Sequence, residues 1–256
     1  MGHGRSVRQL SEALPCRVQV LGVGVDPISA DELVPRVAAL VEQGDEATVT
    51  YANVHVLNQA RKDQSLSDFL ARASLVYCDG NGVRLGARML GESLPDRMTG
   101  ADWIWDLAAQ AEGRWRLYWI GGEPGVTAAA AQALQARHPR LAIETDHGFH
   151  PRTGPENAAC IRRINSYGPD IVLVGMGTPE QETWVKDRRE QLDAPVVWCL
   201  GATADFIAGR TARGPQWLTD NAEWLARLAA EPRRLWHRYL VGNSVFLARV
   251  LRERWL

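Results

Sequence analysis

The apolar run Ser74-Leu-Val-Tyr-Cys78 ends on Asp79, with Gly80 and Gly82 close behind it. A strand that delivers one carboxylate to a sheet edge, among residues without side chains, suits a general base reaching a substrate hydroxyl. An Asp at such a turn equally suits the N-cap of a following helix. Three more apolar runs break in a similar way, into Thr50-Tyr-Ala-Asn53, Gly121-Gly-Glu-Pro-Gly125 and Gly175-Met-Gly-Thr-Pro-Glu-Gln-Glu182. In open parallel sheets, ligands bind beyond the carboxyl ends of the strands, so these junctions are where chemistry is expected. Gly121 and Gly122, with Pro124 in the first turn of a helix, would leave backbone N–H groups and a helix dipole facing a nucleotide diphosphate. The same two glycines could merely turn the chain. Neither this turn nor Gly175-x-Gly177 completes GxGxxG, and no GxxxxGK[ST] occurs, which disfavours dinucleotide-dependent redox chemistry. The polar loop over residues 91–102 adds Arg97, able to fork onto a phosphate, and Asp102.

No DxD, HExxH or paired cysteines occur, and the adjacent Asp146-His147 is a poor ligand pair, so no metal is expected. Any bound phosphate would then be neutralised by arginine. From Arg210 onward the chain carries nine arginines against four acids, a local charge of +5, although the net charge of the whole is −1. Four of the ten tryptophans lie there too: Trp217, Trp224, Trp236 and Trp255. Arginine, tryptophan and leucine at helical spacing suit a membrane interface, whereas the ordinary alternative is a pair of terminal helices packed on the core.

These residues need a scaffold to hold them. The 256 residues, 46% apolar and 23% charged, suffice for one large domain with an appendage. The four cysteines are far apart, no long apolar window occurs and the first residues lack a signal-peptide core, so a reducing cytoplasm is expected. Strands are expected at 18–25, 48–52, 75–78, 115–120, 141–144, 171–174 and 196–200. Helical patterns lie between them, including a capping box of Ser29 and Glu32 and the alanine-rich run from Gly125 to Arg137. Strands alternating with helices imply a largely parallel α/β sheet covered on both faces. The organisation expected is a flexible start over 1–16, a core over 17–208 and a helical appendage over 209–256.

Taken as a set, Asp79-Gly-x-Gly82, Arg97-x-x-Gly100-x-Asp102, Gly121-Gly-x-Pro-Gly-Val126, Gly175-x-Gly-x-Pro-x-Gln-Glu-x-Trp184, Gly201-Ala-x-x-Asp-Phe206 and Glu223-Trp-x-x-Arg227-x-x-x-Glu-Pro-Arg-Arg234 occur in order. Together they resemble the WecG/TagA/CpsF glycosyltransferase family over nearly the whole chain. The resemblance implies a Rossmann-like core and metal-independent, inverting transfer from a UDP-sugar, a substrate and not a cofactor, to a polyprenyl-diphosphate-linked saccharide in bacterial surface-polymer synthesis. It implies Asp79 as general base and Gln181 as a donor-site glutamine. Thr50, Tyr51, Asn53, Arg97, Asp102, Gly121, Gly122, Gly175 and Gly177 are expected around the substrates, and Arg213 and Arg227 on the leaving UDP. It also implies a tail that meets the inner face of the cytoplasmic membrane. No nucleic-acid partner is expected, and a homo-oligomer stays open. Tyr51 stands where many members have threonine, so Tyr51-x-Asn-x-His55-x-x-Asn58 looks closer to the capsule and exopolysaccharide branch and leaves the donor sugar open. A different class of reading, a silent nucleotide-sugar- or membrane-binding scaffold of the same fold, would keep the elements without the transfer.

Overall fold

The computed structural model describes residues 16–210, Arg233 and 236–255. The expected strand over 18–25 is instead a hairpin, β1 (Val18–Val20) paired antiparallel with β2 (Val23–Val25). Leu21 and Gly22 both take positive φ at its tip, the backbone of a tight two-residue hairpin turn. Leu21 is buried there, and an apolar residue in a turn gives the sequence no turn signal.

The remaining strands form one parallel sheet: β3 (Ala47–Ala52), β4 (Leu75–Cys78), β5 (Arg116–Gly121), β6 (Ala142–Asp146), β7 (Ile171–Gly175) and β8 (Val196–Cys199). Their order across the sheet is β4-β3-β8-β7-β5-β6. Every residue of β4, β7 and β8 is buried, as strands covered on both faces must be. The helices are α1 (Ala30–Gln43), α2 (Val54–Ala60), α3 (Gln64–Arg72), α4 (Asn81–Met89), α5 (Gly100–Ala111), α6 (Val126–Arg137), α7 (Pro155–Tyr167), α8 (Glu180–Arg188), α9 (Thr203–Ile207) and α10 (Gly242–Arg254). Helices α1, α5, α6 and α9 form one contiguous layer, while α2, α3 and α8 form another, joined by α7 where the Trp184 indole donates to Asn157. The crossovers after β5 and β7 therefore leave on opposite sides of the sheet, and a crevice opens between the carboxyl ends of those two neighbouring strands.

Local signals set the ends of these helices. The expected capping box forms at α1: the Ser29 N–H donates to the Glu32 carboxylate at 2.8 Å. The helix then continues through Pro35, and Gly44 closes it in the left-handed region. Asn53 caps α2 and Asp63 caps α3, each accepting backbone N–H groups with its side chain. Beneath the sheet, Trp103 of α5 stacks on Trp198 of β8 at 4.0 Å, and the buried Tyr77 ring meets both edge-on.

The hairpin closes the β4 edge of the sheet. Val76 would otherwise present an unpaired N–H and carbonyl, and Asp26 takes both: its N–H donates to Val76 O at 2.8 Å and its carboxylate accepts from Val76 N at 2.6 Å. Arg17 donates to the other Asp26 oxygen at 3.1 Å and to the Ala73 carbonyl that ends α3. Burial raises the Asp26 pKa against these bonds, so the carboxylate is held by its partners and not by solvent. Asp26→Ala strands the Val76 N–H and the Arg17 guanidinium together and is expected to cost about 1–3 kcal/mol. Equilibrium urea unfolding of variant and wild type checks this, and an unchanged midpoint would remove Asp26 from the role.

Candidate active site

At the carboxyl ends of β5, β7 and β8 the chain passes through Gly121, Gly175 and Gly201, and the backbones touch. A Cβ on Gly121, which also has φ +150°, would lie 2.2 Å from the Gly175 carbonyl oxygen, and one on Gly175 would lie 2.6 Å from that of Gly201. No side chain fits either place. The Gly122 N–H donates to Gly175 O at 3.0 Å, and Gly148, in the loop after β6, donates to Gly122 O at 2.9 Å. The Gly122 N–H is thus already used in holding two strands together, contrary to its expected freedom to meet a phosphate. Pro124 also precedes α6, whose N-cap is Gly125, and does not sit in its first turn. What the turn offers is a smooth backbone surface with Phe149, 70% exposed, beside it.

A buried polar cluster supports this surface. Gln181, fully buried in the first turn of α8, accepts from the Gly201 N–H at 3.0 Å with its side-chain oxygen. Its amide nitrogen donates to Glu182 at 2.7 Å and to the Tyr51 hydroxyl at 3.3 Å. Thr178 donates to the same Glu182 oxygen at 2.9 Å and lies 3.3 Å from the Tyr51 hydroxyl. Gln181 therefore lies buried beneath the glycine turns and braces Tyr51 and Gly201. Thr50 is likewise fully buried, and its hydroxyl faces the core beside Cys199. Trp184 and Glu182 are buried and brace the helix after the turn. Glu182 Oε2 has no hydrogen-bond partner, and burial pushes the carboxyl up to about 7, against the bonds from Gln181 and Thr178.

The carboxylate of Asp79 stands at the other end of the sheet, half-buried at the tip of β4. Its backbone N–H continues the parallel ladder to Ala52 O at 2.9 Å, and its Oδ2 accepts from Asn53 Nδ2 at 3.0 Å. The Asn53 side-chain oxygen meanwhile accepts from Val56 N and caps α2, so one amide is fixed at both ends. Asp79 is not the cap of α4; Gly80, at φ +101°, holds that position and lets the chain leave β4 without a side chain beside the carboxylate. Its neighbour Cys78 is no nucleophile at neutral pH, because burial and the Asp79 charge push the thiol up to about 12. Tyr77 is raised well above its usual value, first by burial and then by the same charge, and stays neutral.

The loop before α5 returns to this strand end. Met98 donates to Cys78 O at 2.8 Å, which brings the Arg97 backbone next to Asp79. Asp102 lies exposed in the first turn of α5, where it accepts from Thr99 Oγ1 at 2.7 Å. Asn53, Asp79 and the Arg97 backbone thus gather at one end of the crevice, and Tyr51, Gly121, Gly122, Gly175 and Gly177 line the middle. Arg213 and Arg227 lie outside the described residues. Among the described residues no cluster of His, Cys, Asp and Glu could hold a metal ion. Sequence reasoning passed over Thr178, which joins Tyr51 to Glu182; as a threonine ahead of a proline it carries no signal of its own.

A sequence profile of the "Glycosyl transferase WecG/TagA/CpsF family" matches residues 18–256. Among curated proteins, the chain is similar to the N-acetylglucosaminyldiphosphoundecaprenol N-acetyl-beta-D-mannosaminyltransferases of Staphylococcus aureus strains NCTC 8325 / PS 47, COL and MSSA476. Each is 26% identical over 223 residues, a match that covers 86% of this chain and 87% of the relative.

Glu182 makes the cluster sensitive to pH. With its carboxyl raised from an ordinary 4.5 to about 7, the folded chain holds a proton through that window that the unfolded chain has released. Stability from this group is therefore present at low pH and lost as pH rises between those values, by up to about 3 kcal/mol. Glu182→Gln has no charge to bury. Urea unfolding at about pH 5 and about pH 8 is expected to show wild type weakening relative to the variant as pH rises. A gap between the two that stays constant with pH would refute the buried-carboxylate account.

Proposed function

The chain belongs to the WecG/TagA/CpsF family of glycosyl transferases, and on that premise we propose that it moves a sugar from a UDP-sugar to a saccharide carried on a polyprenyl diphosphate. The observation that carries this reading is the Asp79 carboxylate, delivered by β4, held by Asn53 and followed by Gly80, on the same sheet edge as the glycine-lined strand ends. In the reaction, Asp79 takes the proton of an acceptor hydroxyl while that oxygen forms a bond to the anomeric carbon from the face opposite the diphosphate. The bond between that carbon and the β-phosphate oxygen breaks, UDP leaves with its electron pair, and the anomeric configuration inverts. Arg97, with Arg213 and Arg227, balances the charge on the departing diphosphate. Gly121, Gly122, Gly175 and Gly177 let the donor approach the backbone closely, and Tyr51 offers its hydroxyl nearby. Gln181 acts from beneath, by holding Tyr51 and Gly201, and Thr50 packs in the core beside Cys199. Of a hexose, N-acetylmannosamine or a uronic derivative, the names of the relatives favour N-acetylmannosamine as the sugar moved and an N-acetylglucosaminyl diphosphate lipid as the acceptor. The product then belongs to a bacterial surface polymer.

The acceptor chemistry calls for a membrane surface. No described helix is long and apolar enough to cross a bilayer. Contact at the interface is supported by exposed Trp236, Leu240, Val241, Val245, Leu251 and Trp255, interspersed with exposed Arg252 and Arg254. Replacing Leu240, Val245 and Leu251 together by serine is expected to abolish co-flotation with anionic vesicles. Flotation equal to wild type would defeat the proposed contact.

The transfer itself is tested by UDP release over a panel of UDP-sugars with a short-chain lipid diphosphate N-acetylglucosamine. Release is expected only with both substrates and the matching donor, and Asp79→Asn is expected to lower it by about 10²–10⁴ with the fold intact. Release independent of the acceptor, or wild-type turnover by the variant, would overturn the assignment.

A further inference from the structure

Helix α10 lies across α2 and α4, the two helices that begin directly after Asn53 and Asp79. Its Phe246 and Val250 are fully buried against Gly86 of α4, so close that a Cβ on Gly86 would lie 2.5 Å from the Phe246 ring. On α2 the hydrogen bonds to α10 come from Asn58. Asn58 Nδ2 donates to the Gly242 carbonyl at 2.8 Å, and Asn58 Oδ1 accepts from Arg249 Nη1 at 2.8 Å. The two core helices also meet at their starts, where a Cβ on Gly82 would lie 2.5 Å from a Val54 methyl. The Asn53–Asp79 hydrogen bond sits at that junction. Asn58, at the end of Tyr51-x-Asn-x-His55-x-x-Asn58, thereby has a role that the crevice alone does not explain.

We propose that Asn58 is a positioning residue: with Arg249 it locks α10 onto α2, and α10, through Phe246 and Val250, holds α4 in register with α2, which fixes the Asp79 carboxylate against Asn53. The C-terminal helix is on this view part of the catalytic geometry as well as a candidate membrane contact. The inference rests on the reading of Asp79 as general base. A helix start free to shift by about 1 Å moves the carboxylate off the line to the acceptor hydroxyl, a displacement that costs on the order of 10²-fold in rate. The donor crevice over β5, β7 and β8 lies on other strands and should keep its affinity.

The test uses the full chain, with rates normalised to correctly folded protein by circular dichroism and thermal melting. Asn58→Ala and Arg249→Met are each expected to lower kcat by about 10-fold to 10²-fold, with the donor KM and vesicle flotation close to wild type. The double variant is expected to match the worse single variant, because both substitutions open the same lock. Asn58→Asp, which keeps the acceptor for Arg249, is expected to recover part of the rate. Wild-type kcat in both single variants, losses that multiply in the double variant, or a loss that falls on the donor KM would overturn the proposal. Failure of the underlying reading looks different: Asp79→Asn would then turn over like wild type, whatever the Asn58 variants do.

Discussion

The close backbone contact of Gly121, Gly175 and Gly201 is the constraint on which the rest of the site depends. Parallel strands carry their side chains outward alternately, so a sheet normally ends in a fringe of them. Here a single methyl group on Gly121 would fall 2.2 Å from the neighbouring carbonyl oxygen, and three adjacent strand ends are kept bare. A ligand can therefore lie on peptide planes across the crevice between β5 and β7. The same tightness consumes donors, since the Gly122 N–H is bound to Gly175 O. A crevice whose amides are tied into the scaffold favours shape and close approach over a cradle of N–H groups, and places the burden of neutralising a diphosphate on arginine side chains.

A bare surface needs support from beneath, and the buried cluster around Gln181 provides it. One amide side chain joins Gly201, Glu182 and Tyr51, so the end of β8, the first turn of α8 and the end of β3 move as a unit. A carboxylate in that place is costly, as its raised pKa shows. It nevertheless accepts from Thr178 and Gln181 at once, and so ties the Gly175 turn to the helix that follows it. Hydrogen bonds shared in this way tie the turn, the helix and the strand ends to one another, with Glu182 Oε2 left unpartnered.

Much of this was legible in the sequence, and the failures have physical causes. The parallel α/β layering, the strand runs over 48–52, 75–78 and 171–174, the Ser29 cap and the position of Asp79 at a strand end all follow from local pattern. The hairpin at Leu21-Gly22 was hidden because its turn contains a buried leucine. The direction in which Gln181 points could not be read locally, because residue type and motif position show that a polar group is required, and not which way it faces. Pairings between distant residues, such as Asn53 with Asp79, Asp26 with Val76 and Asn58 with Arg249, are set by the order of strands in the sheet, which no local window contains.

The two ends of the crevice are held by different means, and the difference bears on how a lipid-linked acceptor could be handled. The glycine-lined side, where the proposed donor would lie, is built from the interior strands β5, β7 and β8 and stiffened by a buried cluster, so it is set once the sheet has formed. The carboxylate side hangs on edge strand β4, the N-termini of α2 and α4, and a helix drawn from the far end of the chain. On the proposed reading, Asp79 as base would gain its final alignment from α10, the helix that also carries the exposed Val245 and Leu251. On the proposed function, a donor held on the central strands and a base aligned by a distant helix would suit an enzyme that must keep an activated sugar from water before its acceptor arrives.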